Sequence, residues 1–157
     1  MSRQPWRIDV HAHILPSFYL DAVAAAGITR SRGKAYPEWS ESLCLRLMDD
    51  HGIHAMVTSF STPHVHFGDA QKALSLSRRC NDYAMDLVRR HPGRFGSFAV
   101  LPLPDIDLAC REAVTALDER HAEGVVVLAS YGKTFFGDPM CEPLFAELDQ
   151  RSAVVFV

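Results

Sequence analysis

Ile8-Asp9-Val10-His11-Ala12-His13-Ile14-Leu15-Pro16 is the stretch on which the fold turns. Residues 7–13 alternate in polarity with the period of a β-strand, so Ile8, Val10 and Ala12 share one face and Asp9, His11 and His13 the other. Polar groups gathered at the C-terminal end of a first strand are what an α/β fold uses to begin a site. Outward from this strand, short apolar runs alternate with amphipathic stretches, the pattern of βα units feeding a parallel sheet. Strands are predicted at 55–60, 95–101, 124–128 and 153–157. Helices are predicted between them: one capped by Ser40 and stopped at Gly52, one over 69–91, one opening at Pro104 and Asp105, and one opening at Asp138 and Pro139. Residues 14–39, with Pro16, Phe18, Tyr19, Pro37 and Trp39, read as a long loop or partial lid.

Composition narrows the function classes. The 157 residues are 48% hydrophobic, enough for one core without disulfide staples. Sixteen Lys and Arg against nineteen Asp and Glu give a net charge of -3, which offers no footprint for nucleic acid or an anionic membrane. The longest apolar runs, 124–130 and 153–157, fall far short of the roughly 20 residues of a membrane helix. The polar start at 1–7 lacks a secretory h-region, and Cys44, Cys80, Cys110 and Cys141 form no CxxC, so a cytoplasmic protein with reduced thiols is expected. Arg78, Arg79, Arg89, Arg90 and Arg94 are interleaved with Asp82 and Asp86 and read as a solvated helix face.

Two imidazoles at i and i+2 on one strand face can grip one divalent metal, which makes His11 and His13 the candidate ligands and Asp9 a carboxylate supporting them. A second His-x-His, His64 and His66, follows Pro63 in the loop after the second predicted strand. Either histidine is a candidate substrate contact or a solvent-exposed loop residue. Tyr131, in the loop Ser130-Tyr131-Gly132-Lys133 after the fourth strand, is a further candidate contact for an anionic or phenolic substrate, or part of a plain polar loop. His51, His54, His91 and His121 sit at helix ends or strand starts and are assigned no function.

Five strands and four helices fit two architectures. One is a complete five-stranded doubly wound α/β domain, which the length favours. The other is the N-terminal part, about four and a half βα units, of a (β/α)8 TIM barrel, which typically needs about 250 residues.

The order of motifs decides between them by resemblance. Residues 8–16, with Asn81-Asp82-Tyr83-Ala84, His91-Pro92-Gly93-Arg94-Phe95, Leu101-Pro102-Leu103-Pro104 and Gly137-Asp138-Pro139, resemble the amidohydrolase-related metal-dependent decarboxylases. These are the aminocarboxymuconate-semialdehyde, 6-methylsalicylate and γ-resorcylate decarboxylase group. The resemblance implies a TIM barrel with one divalent metal, zinc or manganese, and His11 and His13 as two of its ligands. It implies decarboxylation of an aromatic or enol-like carboxylic acid, with related members hydrolysing instead. The third metal histidine and the catalytic groups of that family have no counterpart in 1–157, so they are expected beyond Val157 and this chain is read as an incomplete single domain with doubtful activity of its own. The open edges of such a half-barrel predict association with another chain, as in a homo-oligomer. Two other readings remain: a phosphoesterase of the polymerase-and-histidinol-phosphatase type, and a truncated half-barrel acting as a binding module.

Overall fold

The computed structural model describes residues 6–31 and 33–157. Five parallel strands form the main sheet: β1 (Ile8–His13), β2 (Ala55–Ser59), β3 (Phe95–Val100), β4 (Gly124–Val126) and β5 (Val155–Phe156). Each pairs with the next in chain order. The helices are α1 (Ser17–Ala25), α2 (Glu41–Asp50), α3 (Ala70–Arg90), α4 (Ile106–Val114) and α5 (Glu142–Gln150).

Local chemistry sets these boundaries. Ser40 Oγ accepts the Leu43 N–H at 3.2 Å, Asp69 Oδ1 that of Lys72 at 2.9 Å and Asp105 Oδ1 that of Leu108 at 3.0 Å. Each satisfies an orphan amide at a helix start, a contribution of about 1 kcal/mol. Alternation along β4 and β5 sends Val125, Val127 and Val155 toward Ala109, Ala113, Leu144 and Leu148 of α4 and α5. Val126 and Phe156 turn to the opposite face, where Phe156 stacks on Phe98 at 5.4 Å.

The doubly wound alternative is not what this chain forms. That fold requires the strand order to reverse at a switch point so that helices cover both faces. Here the order is strictly sequential, and right-handed crossovers in one direction place the helices that lead from strand to strand, α2 to α5, on the same side. The other side closes on itself: the His11 ring of β1 lies 5.0 Å from the Phe156 ring of β5. Strands one and five can meet across a five-stranded sheet only if it curls as an arc of a barrel. The fold is the N-terminal part of a TIM barrel.

Two details differ from the sequence reading. Residues 14–39, read as a loop, hold α1 and a two-stranded hairpin pairing Arg30–Ser31 with Lys34–Ala35. Tyr19 and Val23 of α1 are fully buried, because apolar residues one helical turn apart reach the same core. The alternation read through Asp9, His11 and His13 is also interrupted. Asp9 pairs with Met56 and Ala12 with Thr58, so β1 carries one extra residue between them, a bulge that re-aims its side chains.

The basic stretch is not a bare cationic face. Arg90 pairs with Glu41 and Asp86, Arg94 with Asp49, and the Arg79 guanidinium lies 4.1 Å from the centre of the Phe18 ring. Among the described residues, no helix is long and apolar enough to cross a membrane.

Candidate metal and substrate site

At the C-terminal end of β1, the rings of His11 and His13 stand edge to face with centroids 5.0 Å apart. Asp9 supports this arrangement through the backbone: its Oδ1 accepts the His11 N–H at 2.9 Å. His11 is exposed, and its ring edge rests on Phe156. His13 is half-buried, and its Nδ1 lies 2.9 Å from Ser59 Oγ at the end of β2. Ser59 Oγ also lies 3.4 Å from the Ala12 carbonyl, so the hydroxyl bridges the His13 ring and the β1 backbone. With Nδ1 engaged by Ser59, Nε2 is the ring nitrogen left to face a ligand. A hydrogen-bonding neighbour that orients the ring in this way is what a metal-ligating imidazole ordinarily has.

Burial first, and the adjacent His11 second, lower the His13 pKa from its ordinary value. Both causes favour the neutral, ligating form. The pair fits part of a metal centre: two imidazoles side by side, one of them, His13, favoured in its neutral form and held by a hydrogen bond. Among the described residues, no cluster of three or more His, Cys, Asp or Glu side chains could hold a metal ion.

His64 is not an exposed loop residue. Its side chain is 1% exposed, in a left-handed backbone conformation with φ 61°. The turn is pinned from both sides: the His64 N–H donates to the Ser61 carbonyl at 2.9 Å, and Tyr19 Oη donates to the His64 carbonyl at 3.0 Å. Inside the fold, His64 Nδ1 lies 3.0 Å from Tyr131 Oη, while His64 Nε2 is buried without a hydrogen-bond partner. Tyr131 Oη also accepts the Leu128 N–H at 2.9 Å. Burial, with a smaller effect of His13, holds the His64 pKa down at about 4, and burial raises that of Tyr131.

His66 stands apart from this pair, its Nδ1 accepting the Gly68 N–H at 3.3 Å. It meets Tyr131 across a cleft of about 370 Å³, whose lining includes Thr62, Pro63, Pro104 and Leu128. Tyr131 sits in a short hairpin pairing Ser130–Tyr131 with Thr134–Phe135. The structure thus gathers the candidates into two groups: His11 and His13 with Asp9 and Ser59, and Tyr131 with His64 beneath the cleft that His66 borders.

Sequence reasoning missed Ser59, Phe98 and Phe156. Ser59 had one available signal, a polar residue ending the second strand, whose meaning depends on its register opposite His13.

A family model described as Amidohydrolase matches residues 8–157. The chain belongs to the amidohydrolase family. Among curated relatives, it is 36% identical over 155 residues to the 6-methylsalicylic acid decarboxylase acuB of Aspergillus aculeatus, an alignment covering 96% of this chain and 47% of that protein. A crystal structure of an amidohydrolase II superposes with a TM-score of 0.91 at 36% identity, over 95% of this chain and 49% of that one. The dihydroxybenzoic acid decarboxylase of Polaromonas sp. JS666, solved with manganese and the inhibitor 2-nitroresorcinol, superposes with a TM-score of 0.77 at 25% identity, over 97% and 48%. The chain spans about half the length of the curated relatives it matches from end to end. Within this amidohydrolase family, then, decarboxylases of aromatic acids and a manganese-bound member share the half-barrel seen here.

Proposed function

We propose that the whole protein is a divalent-metal-dependent carboxy-lyase acting on an aromatic or enol-like carboxylic acid, with His11 and His13 as two of the metal's ligands and Asp9 supporting them. The observation that carries this reading is the His11–His13 pair at the mouth of the curled sheet, its His13 ring held by Ser59. The manganese of the Polaromonas neighbour and the substrate in the name of the Aspergillus relative support it. The ion is zinc or manganese, and the partner is a small carboxylic acid. The four cysteines, all free, accord with a reducing, cytoplasmic setting.

When bound, a divalent ion supplies positive charge against the carboxylate and neighbouring hydroxyl of the substrate. The chain's own residues prepare the place. His11 and His13 present ring nitrogens, Ser59 holds one ring in orientation, and Phe98 and Phe156 give an apolar wall for an aromatic ring. His66 and Tyr131 border the cleft as substrate contacts, with His64 behind them. The remaining ligands and the proton donor are assigned to polypeptide outside this chain. Since catalytic zinc ordinarily takes three protein ligands plus water, residues 1–157 alone are expected to show negligible turnover.

The test has two parts. Manganese titration of the 157-residue chain, followed by electron paramagnetic resonance, is expected to show weak binding that His11→Ala and His13→Ala each abolish. Sequencing the native transcript past codon 157, then assaying its full product for CO2 release from hydroxybenzoic acids, is expected to show turnover that a chelator removes. Release of CO2 indifferent to chelator and to both substitutions would overturn the reading.

A further inference from the structure

His66 has one polar position to offer a ligand, and its chemistry is fixed. The Gly68 N–H donates to His66 Nδ1 at 3.3 Å. A backbone amide can only donate, so Nδ1 carries the lone pair and the ring proton sits on Nε2. Protonating the ring would leave Nε2 a donor as well. The loop is held through its neighbours. Val65 is buried in the core and Phe67 packs against it, and both line a groove with Ala22 and Ala25 of α1. His66, between them, lines the separate cleft of about 370 Å³. The chain then turns at Gly68, with φ 97°, into the Asp69 cap of α3.

We propose that His66 is a specificity-determining residue whose Nε2–H donates a hydrogen bond to an uncharged acceptor on the substrate ring, an ether or carbonyl oxygen. The hydroxyls of Thr62, Ser130 and Tyr131 around the same cleft can each donate or accept, so they adapt to a ligand, whereas the His66 ring selects. Pro63, Pro104 and Leu128 make much of the remaining wall apolar, and no Asp, Glu, Lys or Arg lines it. A second carboxylate would enter such a cleft without a countercharge, while a neutral oxygen is satisfied by one N–H. An alkyl group of the same size would cover that N–H without pairing it, and is disfavoured for that reason. This role rests on the proposed aromatic-acid substrate; the fixed donor does not depend on it.

Two measurements on the full 157-residue chain test it. Imidazole 15N spectra at neutral pH are expected to show His66 with Nδ1 bare and Nε2 protonated. In ligand titrations followed by amide and imidazole spectra, 3-methoxybenzoate is expected to bind about fivefold tighter than 3-ethylbenzoate, which has a methylene in place of the ether oxygen, and to shift the His66 Nε2 resonance. His66→Asn and His66→Asp separate donation from loop shape, because either side chain can accept the Gly68 N–H in an Asx turn and only the amide has a proton to give. The Asn variant is expected to keep the Gly68 contact and part of the preference, the Asp variant the contact alone. A bare His66 Nε2, equal binding of the two acids, no binding of either, or a preference that survives His66→Asp would overturn the proposal. Manganese binding and CO2 release are read separately, so an ether preference found without them would overturn the carboxy-lyase reading and leave the His66 donor standing.

Discussion

His64 makes folding depend on pH through a single ring. Burial holds its pKa at about 4 against the ordinary 6.5. Between those values the unfolded chain binds a proton that the folded chain excludes, so stability is full above pH 6.5 and is lost as pH falls toward 4. Each unit of that window is worth about 1.4 kcal/mol. His13, also lowered, adds to the same window, whereas Glu41, held down by its hydrogen bonds to Arg90 and His91, acts at lower pH. Urea unfolding at pH 7 and pH 4.5 is expected to show a marked loss of stability that shrinks in His64→Asn; an undiminished loss would acquit His64. Ser59 is the other decisive single residue. Removing its hydroxyl frees His13 to rotate or change tautomer, so Ser59→Ala is expected to weaken manganese binding by about tenfold while leaving the circular dichroism unchanged.

Elements are held in place by two contacts of different kinds. One is a close backbone approach: a Cβ on Gly124 would lie 2.3 Å from the Val154 carbonyl oxygen. That carbonyl accepts the Val125 N–H at 2.9 Å, as the Phe156 carbonyl accepts that of Val127. Gly124→Ala is therefore expected to push β5 off β4, read as lost hydrogen-exchange protection at Val125 and Val127 and a displaced Phe156 ring. The other contact is a buried polar clamp. Asn81 of α3 bonds both the N–H and the carbonyl of Val100, and its amide also donates to the fully buried Glu112 of α4 at 2.8 Å. Glu112→Ala leaves one of the two Asn81 amide hydrogens and the Arg78 guanidinium without their acceptor, and about 3 kcal/mol of stability is expected to go with it. A urea-measured loss under about 1 kcal/mol would make the clamp no stronger than a surface pair.

Most elements were legible because hydrophobic period and caps agree: Ser40, Asp69 and Asp105 each cap the helix they announce. Helix α1 was not, because Pro16 precedes it without a side-chain cap, no acidic residue marks its first turn and no basic one its last. Within the site, the His-x-His was legible as local spacing. The partners were not: Ser59 lies 46 residues from His13 and Tyr131 lies 67 from His64, separations that only the sheet's register closes.

At the scale of the molecule, the arc leaves apolar residues facing water at both of its ends. Ile8 and Val10 on β1 are 59% and 50% exposed, and Val154 and Val157 flank β5 at 55% and 69%. An outward apolar edge beside unpaired strand groups recruits another strand. The purified chain is expected to self-associate with concentration by light scattering, and Val154→Lys with Val157→Lys to suppress it; a monodisperse monomer at high concentration would count against sticky edges. These edges also bear on the homo-oligomer expected from the sequence, since the same surfaces would be covered in a closed barrel.

The contact of His11 with Phe156 sets a clock on biogenesis. One partner leaves the ribosome near the start of synthesis and the other at the fifth strand, an interval of roughly ten to thirty seconds at ordinary elongation rates. For that interval the imidazole has no aromatic wall behind it. Whatever occupies the pair of histidines in the finished protein meets a preorganised site only after the fifth strand has docked, so the nascent chain acquires its shape before its cargo.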